Sequence, residues 1–189
     1  QRIKSMEVLN KDLFPHMNDL PAMEDETVDE KTTRLQTLKL YMLSIMIANL
    51  MGITSSLLSG DVRFIYIELE KPLLSPPGWL FGLVWPVLFV LMGYSAYRIF
   101  VRDTDMRQRQ KGLCLYAAQL LLNFSWSIVF FRFGSLWGGL LIIVLWDVLV
   151  LMMINTFRKI DRSAALLMVP YLLWLLFATY LNIGIVLMN

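Results

Sequence analysis

The sequence has few of the residue types that build most catalytic sites. Its 189 residues include one cysteine, Cys114, and one histidine, His16. A single cysteine excludes an intrachain disulfide, and so few thiols and imidazoles predict no metal site. A hydrolytic nucleophile would lack a base in the apolar part of the chain, because His16 lies in the polar N-terminal region.

Charge is also scarce and unevenly distributed. Charged residues make up 17% of the chain, against about a quarter in soluble domains, and hydrophobic residues make up 57%. Eight of the fifteen acidic residues fall within the first thirty positions. We therefore predict two regions, an acidic flexible cytosolic arm at residues 1–36 and a membrane domain at residues 37–189. The net charge of +2 says little about partners. No nucleic-acid partner is expected.

Five long apolar runs predict an all-α polytopic membrane protein, a bundle of five transmembrane helices. Each run approaches or exceeds the roughly 20 residues needed to cross a bilayer. The predicted spans are about Leu38–Leu58, Leu80–Phe100, Gly112–Phe131, Leu136–Phe157 and Ala164–Met188. The lipid bilayer is therefore the first expected partner.

Basic residues next to the spans predict the orientation. Five spans place the N-terminal arm, the second loop and the fourth loop on one side, which carries eleven Lys or Arg residues against three on the other. The positive-inside rule then places the N-terminus in the cytosol. The eleven are Lys31, Arg34, Lys39, Arg98, Arg102, Arg107, Arg109, Lys111, Arg158, Lys159 and Arg162, and the three are Arg63, Lys71 and Arg132.

Small residues four positions apart predict close helix packing, within the bundle more than across a dimer seam. They are Ala48, Gly52, Ser56 and Gly60 in the first span, Gly78 and Gly82 in the second, and Gly134 and Gly138 at the fourth.

Polar and aromatic side chains inside the spans indicate the site. Asp147 is the one ionisable side chain deep in a span, and we expect it to be hydrogen-bonded to a neighbouring helix. A proton-coupled small-molecule transporter that uses Asp147 remains an alternative. Trp85, Trp126 and Trp174 lie deeper in the spans than interfacial anchors do. Gln119, Asn123 and Trp126 share one face of the third span. This combination predicts a cavity for a large, flat and mostly apolar molecule.

Four motifs in order carry a family resemblance. They are KPLLSPPGWLFGLVW at 71–85, LMGYSAYRIF at 91–100, QLLLNFSWSIVFF at 119–131 and PYLLWLLFATYLN at 170–182. With these motifs the chain resembles the translocator protein family, also called tryptophan-rich sensory proteins or peripheral benzodiazepine receptors. The resemblance covers about residues 38–189.

The resemblance implies a membrane receptor or sensor with five transmembrane helices. Such proteins bind porphyrins, protoporphyrin IX among them, and hydrophobic drugs in a pocket under the first loop, so a porphyrin is the expected ligand and no cofactor is required. The implied pocket comprises Tyr66, Pro76, Pro77, Trp79, Phe81, Trp85, Phe89, Asn123, Trp126, Phe130, Trp146, Asp147, Val148, Trp174, Phe177 and Ala178. Porphyrin transport and light-dependent porphyrin degradation, with Trp85 and Trp174 as the reactive indoles, both stay open, and so does the question of an enzyme. A bacterial cell membrane and a homodimer are expected by the same analogy.

Several positions depart from the family pattern or constrain it. Leu74 stands where the family carries a tryptophan, which predicts a loop without one aromatic wall. Pro76 and Pro77 are expected in the first turn of the second helix, and Pro86 is expected to kink or loosen that helix. No basic residue follows Tyr180, so cholesterol transport is not predicted. A scaffold whose acidic arm binds a partner is a further alternative.

Overall fold

A computed structural model describes the backbone of residues 23–189, and the side chains of residues 35–189 other than Arg63. Residues 1–22 of the predicted arm therefore lie outside the described residues. By its internal contacts the chain divides into two units, Gln1–Lys39 and Leu40–Asn189. The candidate site lies wholly within the second unit.

The described residues confirm an all-α protein with five helical segments that are long and apolar enough to cross a membrane. The helices are α1 Met23–Leu58, α2 Val62–Glu68, α3 Gly78–Val101, α4 Met106–Ser127, α5 Leu136–Ile160, α6 Arg162–Leu167 and α7 Val169–Met188. The five candidate spans are residues 35–58 of α1, α3, α4 with the turn that follows it, α5, and α6 with α7. Connections of one to four residues separate the later spans, whereas residues 59–77, which include α2, separate the first two.

Side chains at the helix starts explain where several helices begin. The Asp61 carboxylate accepts a hydrogen bond from the Phe64 amide at 3.1 Å and caps α2. The Ser135 hydroxyl accepts from the Gly138 amide at 3.3 Å and caps α5, and Asp161 accepts from two amides of α6. Each cap satisfies amide groups that have no carbonyl partner within the helix.

A π-helical turn, Ile128–Arg132, continues α4. It places Phe130 in the protein interior, where the side chain is 2% exposed. Helix α5 passes so close that a Cβ placed on Gly139 would lie 2.6 Å from the Phe130 ring. Turns of this kind are rare and concentrate at functional sites. The sequence pattern predicts a continuous α-helix here, and it contains no signal for the wider turn.

The two adjoining prolines lie before α3 and not in its first turn, so that expectation is wrong. Pro77 is the residue that precedes the helix, with an extended backbone at φ −62° and ψ 145°. Pro76 is restricted as well, because a residue before proline is disfavoured in the helical region. Helix α3 then runs from Gly78 to Val101 with Pro86 inside it.

Glycine allows α1 and α3 to pack closely at two positions. The Phe89 ring occupies the space that a Cβ on Gly52 would need, and a Cβ on Gly93 would lie 2.6 Å from the Ile45 Cα. The predicted close approach is therefore confirmed at Gly52. At Gly82 no atom of the described residues lies within 4 Å of the position a Cβ would take, so no helix of this chain packs closely there.

Candidate functional site

An aromatic cluster lies between the α2–α3 loop and the middle of the bundle. Every element that reaches this part of the bundle, apart from α1, supplies at least one ring. The rings are those of Tyr66 from α2, Phe81, Trp85 and Phe89 from α3, Trp126 from α4, Phe130 from the π turn, Trp146 from α5, and Tyr171, Trp174 and Phe177 from α7.

The inner part of the aromatic cluster is a stack. The Trp85 and Trp146 ring centroids are 6.2 Å apart with planes 14° from parallel, and Trp85 also stacks on Phe89 at 5.5 Å. Tyr171 packs against Trp146 at 6.1 Å. Trp146 is 1% exposed and Tyr171 is fully buried. Parallel indoles from two helices form flat apolar walls, the kind of surface on which a planar ligand can stack.

The outer part of the cluster lies next to the loop. Phe81 lies edge-on to both Tyr66 and Trp174, at centroid distances of 5.5 and 5.7 Å. Trp174 in turn contacts Phe177 at 5.7 Å. A path of ring contacts therefore leads from α2, next to the loop, to α7.

Gln119 joins three helices through hydrogen bonds. It is completely buried on α4, and its Oε1 atom accepts from the Tyr171 hydroxyl at 2.6 Å and from the Trp146 indole at 3.3 Å. Because Tyr171 lies on α7 and Trp146 on α5, one carbonyl oxygen positions rings of two other helices. The amide of Asn123, one turn further along α4, is also buried.

Six buried polar atoms around the cluster have no hydrogen-bond partner among the described residues. They are Gln119 Nε2, Asn123 Nδ2, Trp126 Nε1, Trp174 Nε1, Asp147 Oδ1 and Asn182 Oδ1. An unpaired buried polar group costs about 1–3 kcal/mol, and few such groups persist in folded proteins without a reason. Four of the six are N–H donors, so the site is suited to a ligand that carries acceptors.

Asp147 is hydrogen-bonded to a neighbouring helix, as the sequence predicted. The Thr179 hydroxyl of α7 lies 2.7 Å from Asp147 Oδ2 and 3.1 Å from the Leu175 carbonyl of its own helix. Asp147 is 8% exposed. It forms no ion pair with any residue whose side chain the structure describes. It is therefore held as an acceptor beside the cluster, with its second oxygen unpaired.

The α2–α3 loop is fastened to α7 by contacts along its length. The Tyr180 hydroxyl donates to the Leu73 carbonyl at 2.6 Å. Asn189 exchanges two hydrogen bonds with the backbone of Glu70, at 2.9 and 3.0 Å. Pro72 occupies the space that a Cβ on Gly184 would need. The loop is thus held over the aromatic cluster, so a ligand entering from this end has to displace it.

Lys71 and Tyr66 organise the start of the same loop. The Lys71 ammonium donates to the Tyr66 and Leu69 carbonyls at 2.7 and 2.8 Å, at the end of α2, and lies 4.9 Å from the centroid of the Tyr66 ring. The Tyr66 hydroxyl donates to the Pro76 carbonyl at 2.8 Å. Burial raises the pKa of Tyr66, and a hydrogen bond with Ser75 opposes this rise. The phenol is therefore a donor at neutral pH.

The structure brings most of the predicted site residues together. Those that it gathers are Tyr66, Phe81, Trp85, Phe89, Asn123, Trp126, Phe130, Trp146, Asp147, Trp174, Phe177 and Ala178. Pro76 takes part through its carbonyl. Trp79 and Val148 lie outside the cluster, with exposed fractions of 69% and 52%, and Pro77 is exposed at the start of α3. Helical geometry explains this, because Trp79 is two positions from Phe81, nearly half a turn around α3.

Leu74 is not part of the aromatic cluster. Its side chain is 74% exposed, and its backbone has φ of +72°. The departure from the family pattern at this position therefore removes no ring from the cluster as it is packed here. A left-handed backbone is strained for a branched side chain, which marks the tip of the loop as a local high-energy point.

The predicted site omits Gln119, Tyr171, Thr179 and Asn182, which supply or face its buried polar atoms. Gln119 carries a sequence signal, since it precedes Asn123 by one helical turn. Thr179 carries no such sequence signal, because the hydroxyl of a threonine in a helix can donate its hydrogen bond to a backbone carbonyl of the same helix.

Two neighbouring cavities lie away from the aromatic cluster, towards the other end of the same helices. One, of about 540 Å³, is lined by residues of α3, the α3–α4 loop and Asp161. The other, of about 270 Å³, lies between α1, α3 and α4. Neither is lined by rings of the aromatic cluster.

Known proteins resemble this chain over its membrane part. A model of the TspO/MBR family matches residues 44–188. The Tryptophan-rich protein TspO of Chlorobaculum tepidum is 41% identical over 125 residues, which cover 66% of this chain and 78% of that protein. The Tryptophan-rich sensory protein of Cereibacter sphaeroides is 35% identical over 129 residues, 68% of this chain and 78% of that protein. The Translocator protein of Ovis aries is 33% identical over 118 residues, 62% of this chain and 70% of that protein.

Proposed function

Because this chain belongs to the TspO/MBR family of membrane proteins, we propose that it is a receptor that binds a tetrapyrrole such as protoporphyrin IX in the aromatic cluster. The names of its relatives, sensory protein and translocator protein, agree with a sensor or receptor in a membrane. The observation that carries the proposal is the combination of stacked indoles with unpaired N–H donors in one buried place.

The chemistry of a porphyrin matches these two features. Its flat macrocycle can stack between indole faces, and its carboxylates accept hydrogen bonds. Trp85 and Trp146 supply parallel ring faces, whereas Asn123, Trp126 and Trp174 supply unpaired N–H groups. Since the rings now touch one another, binding would require the stack to separate while the loop over it is released.

A titration of the purified protein in detergent tests the proposal. Protoporphyrin IX is added and its absorbance shift is followed, a readout that does not depend on the tryptophans being replaced. The pair Trp85→Phe and Asn123→Ala should weaken binding about tenfold or more, because a lost stacking contact and a lost hydrogen bond are each worth about 1 kcal/mol. Unchanged binding in this pair contradicts the assignment of the site.

Trp137→Phe is the matched control. This variant also loses an indole, but Trp137 is 71% exposed at the start of α5 and contacts none of the cluster rings. The variant should therefore bind protoporphyrin IX as the wild type does. A loss of affinity equal to that of Trp85→Phe would show that the porphyrin binds to exposed indoles without selection.

Light-dependent degradation of the bound porphyrin is a further part of the proposal. Trp85 and Trp174 are the indoles expected to react, because indole is electron-rich and is readily oxidised by a photoexcited pigment or the oxygen species it forms. Pigment loss should be faster in light than in darkness, and slower when both residues are phenylalanine. Equal loss with and without the two indoles removes this part and leaves binding unaffected.

The alternative function is proton-coupled transport of a small molecule, and the unpaired Asp147 Oδ1 is the observation that favours it. In liposomes this alternative predicts a pH-dependent flux that Asp147→Asn abolishes. A flux that Asp147→Asn leaves intact eliminates it.

The N-terminus is expected on the cytosolic side, because residues 98–111 and 158–162, around the α3–α4 and α5–α6 connections, carry eight Lys or Arg residues. Labelling a cysteine placed at the exposed Phe133, near the opposite ends of the helices, from outside intact cells would test this. A label that enters only after lysis reverses the orientation.

A further inference from the structure

The cavity of about 540 Å³ lies at the end of the bundle far from the aromatic cluster. Its volume is within the roughly 300–1,000 Å³ of small-molecule sites. The lining residues are Tyr94, Tyr97, Arg98, Val101, Arg102, Asp103 and Asp161. It thus combines two tyrosine rings, two guanidinium groups and two carboxylates.

Arg98 is held in place and keeps one nitrogen unoccupied. Its Nε and Nη2 atoms both donate to Asp161 Oδ2, at 3.0 and 2.8 Å, and its Nη1 has no hydrogen bond among the described residues. Burial would raise the pKa of Asp161, but the hydrogen bonds from Arg98 and from the α6 amides hold it below its usual value. Asp161 is therefore negatively charged and already paired with Arg98, so it does not also neutralise Arg102.

Arg102 forms no side-chain hydrogen bond or ion pair with any described residue, although Asp103 follows it directly. Arg109 lies next to it, because its Nη2 donates to the Arg102 carbonyl at 3.0 Å, and its own Nε is buried without a described partner. The ends of the helices on this side are basic overall. From Arg98 to Lys111 and from Arg158 to Arg162 the chain carries eight Lys or Arg residues and three Asp. The two carboxylates of the lining balance its two guanidinium groups, so the attraction for an anion comes from the basic residues around the cavity.

The second cavity is a neighbour of the first, because Tyr97 lines both. It has a volume of about 270 Å³ and an almost entirely apolar lining. The lining residues are Leu40, Leu43, Ser44, Ile47, Ala96, Tyr97, Phe100, Leu113 and Tyr116. Tyr116 is 9% exposed and its hydroxyl has no hydrogen-bond partner among the described residues. The hydroxyl oxygen is itself buried, so the ring of Tyr116 and not its oxygen faces the cavity.

We propose that the two cavities form one site for an acidic phospholipid, with its phosphate at Arg98 and Arg102 and one acyl chain along the apolar cavity. An anionic head bonded to an apolar chain has the same polarity pattern as the two neighbouring cavities. The first cavity lies at the ends of candidate spans, where phospholipid headgroups are found, and the second extends along the spans to Ile47. Basic cavities between transmembrane helices are known sites for anionic headgroups.

Native mass spectrometry of the full chain in detergent tests the proposal with defined lipids. Phosphatidylglycerol should bind at low micromolar concentration, whereas phosphatidylcholine with the same acyl chains should bind at least about fivefold more weakly. Inorganic phosphate at the same concentrations should not displace the lipid. Equal binding of the two lipids overturns the proposal, and displacement by phosphate alone reassigns the cavity to a free anion.

Variants on each half of the site make the test specific. Arg102→Gln should weaken phosphatidylglycerol binding about fivefold, the effect of one basic residue on an anionic lipid. Arg107→Gln is the matched control, since Arg107 is exposed on α4 and does not line the cavity. Ser44→Leu, which fills the apolar half, should weaken binding of both lipids and leave phosphate unaffected. Equal effects of Arg102→Gln and Arg107→Gln, or no effect of Ser44→Leu, refute the site.

This site is independent of the proposed porphyrin site. Trp85→Phe should leave lipid binding unchanged, and Arg102→Gln should leave porphyrin binding unchanged. Failure of either experiment therefore does not decide the other.

Discussion

Replacing Gln119 by methionine tests whether one carbonyl oxygen holds the aromatic cluster in place. Methionine has nearly the same length and suits a buried position, but it accepts hydrogen bonds only weakly. The change removes the acceptor for the Tyr171 hydroxyl at 2.6 Å and for the Trp146 indole at 3.3 Å. Both donors are buried, so they lose a partner that solvent does not replace.

The expected cost follows from the two bonds. Hydrogen bonds between transmembrane helices are worth about 0.6 kcal/mol on average and at most about 1.7. The short bond from Tyr171 should be near the upper value and the long bond from Trp146 near or below the mean. Loss of the amide also removes Gln119 Nε2, which has no described partner, and this offsets part of the cost. We therefore expect a net loss of about 1–2 kcal/mol in the free energy of unfolding.

Reversible unfolding in mixed micelles, followed by circular dichroism, measures this loss. Tyr171→Phe alone should cost less than Gln119→Met, and the double variant should cost less than the sum, with a coupling near 1 kcal/mol. Gln110→Met is the control, because Gln110 is exposed on the same helix. Additive effects of the two buried substitutions, or a Gln119→Met variant as stable as Gln110→Met, would refute the role given to this residue.

Three further outcomes are expected. Tyr180→Phe removes the donor to the Leu73 carbonyl, so amides of the loop should exchange hydrogen about 2–12-fold faster. Gly93→Leu should lower the thermal midpoint by several degrees, because its Cβ would meet the α1 backbone at 2.6 Å, whereas Gly82→Leu, with no atom within 4 Å of its Cβ position, should be nearly neutral. Asp161→Asn should make the free energy of unfolding depend less on pH in acid. The pKa of this carboxyl is lower in the folded protein than in the unfolded chain. Its stabilisation is therefore complete above the unfolded pKa near 3.9 and is lost as the pH falls through the folded pKa.

Each of these outcomes has a clear contradiction. Unchanged loop exchange in Tyr180→Phe would mean that the Asn189 and Pro72 contacts hold the loop without it. Equal midpoints for the two glycine variants would show that α1 does not pack on α3 at Gly93. A pH profile of Asp161→Asn that matches the wild type would assign the acid limb to other carboxylates.

Much of the candidate site could be predicted because the motifs fix residue types along each helix. Trp85, Asn123 and Trp174 fall in the cluster as expected, since each lies at a position that the helical period turns inward. Trp79 and Val148 were assigned by motif position alone, and the same period turns them outward. Asp147 could be given a hydrogen-bonded environment, but its partner Thr179 lies 32 residues away and could not be identified from spacing.

The sequence by itself determined the class of the protein. Apolar runs of bilayer length dictate five crossing helices, since the membrane interior leaves the backbone no other way to satisfy its polar groups. The tryptophan-bearing motifs similarly determined the family. Only the tertiary structure decided which rings touch, that the π turn buries Phe130, that the loop is fastened to α7, and that Tyr97 lines two neighbouring cavities. These features depend on how helices distant in sequence are rotated against one another, and that rotation is set by close packing at positions such as Gly93, which no local pattern encodes.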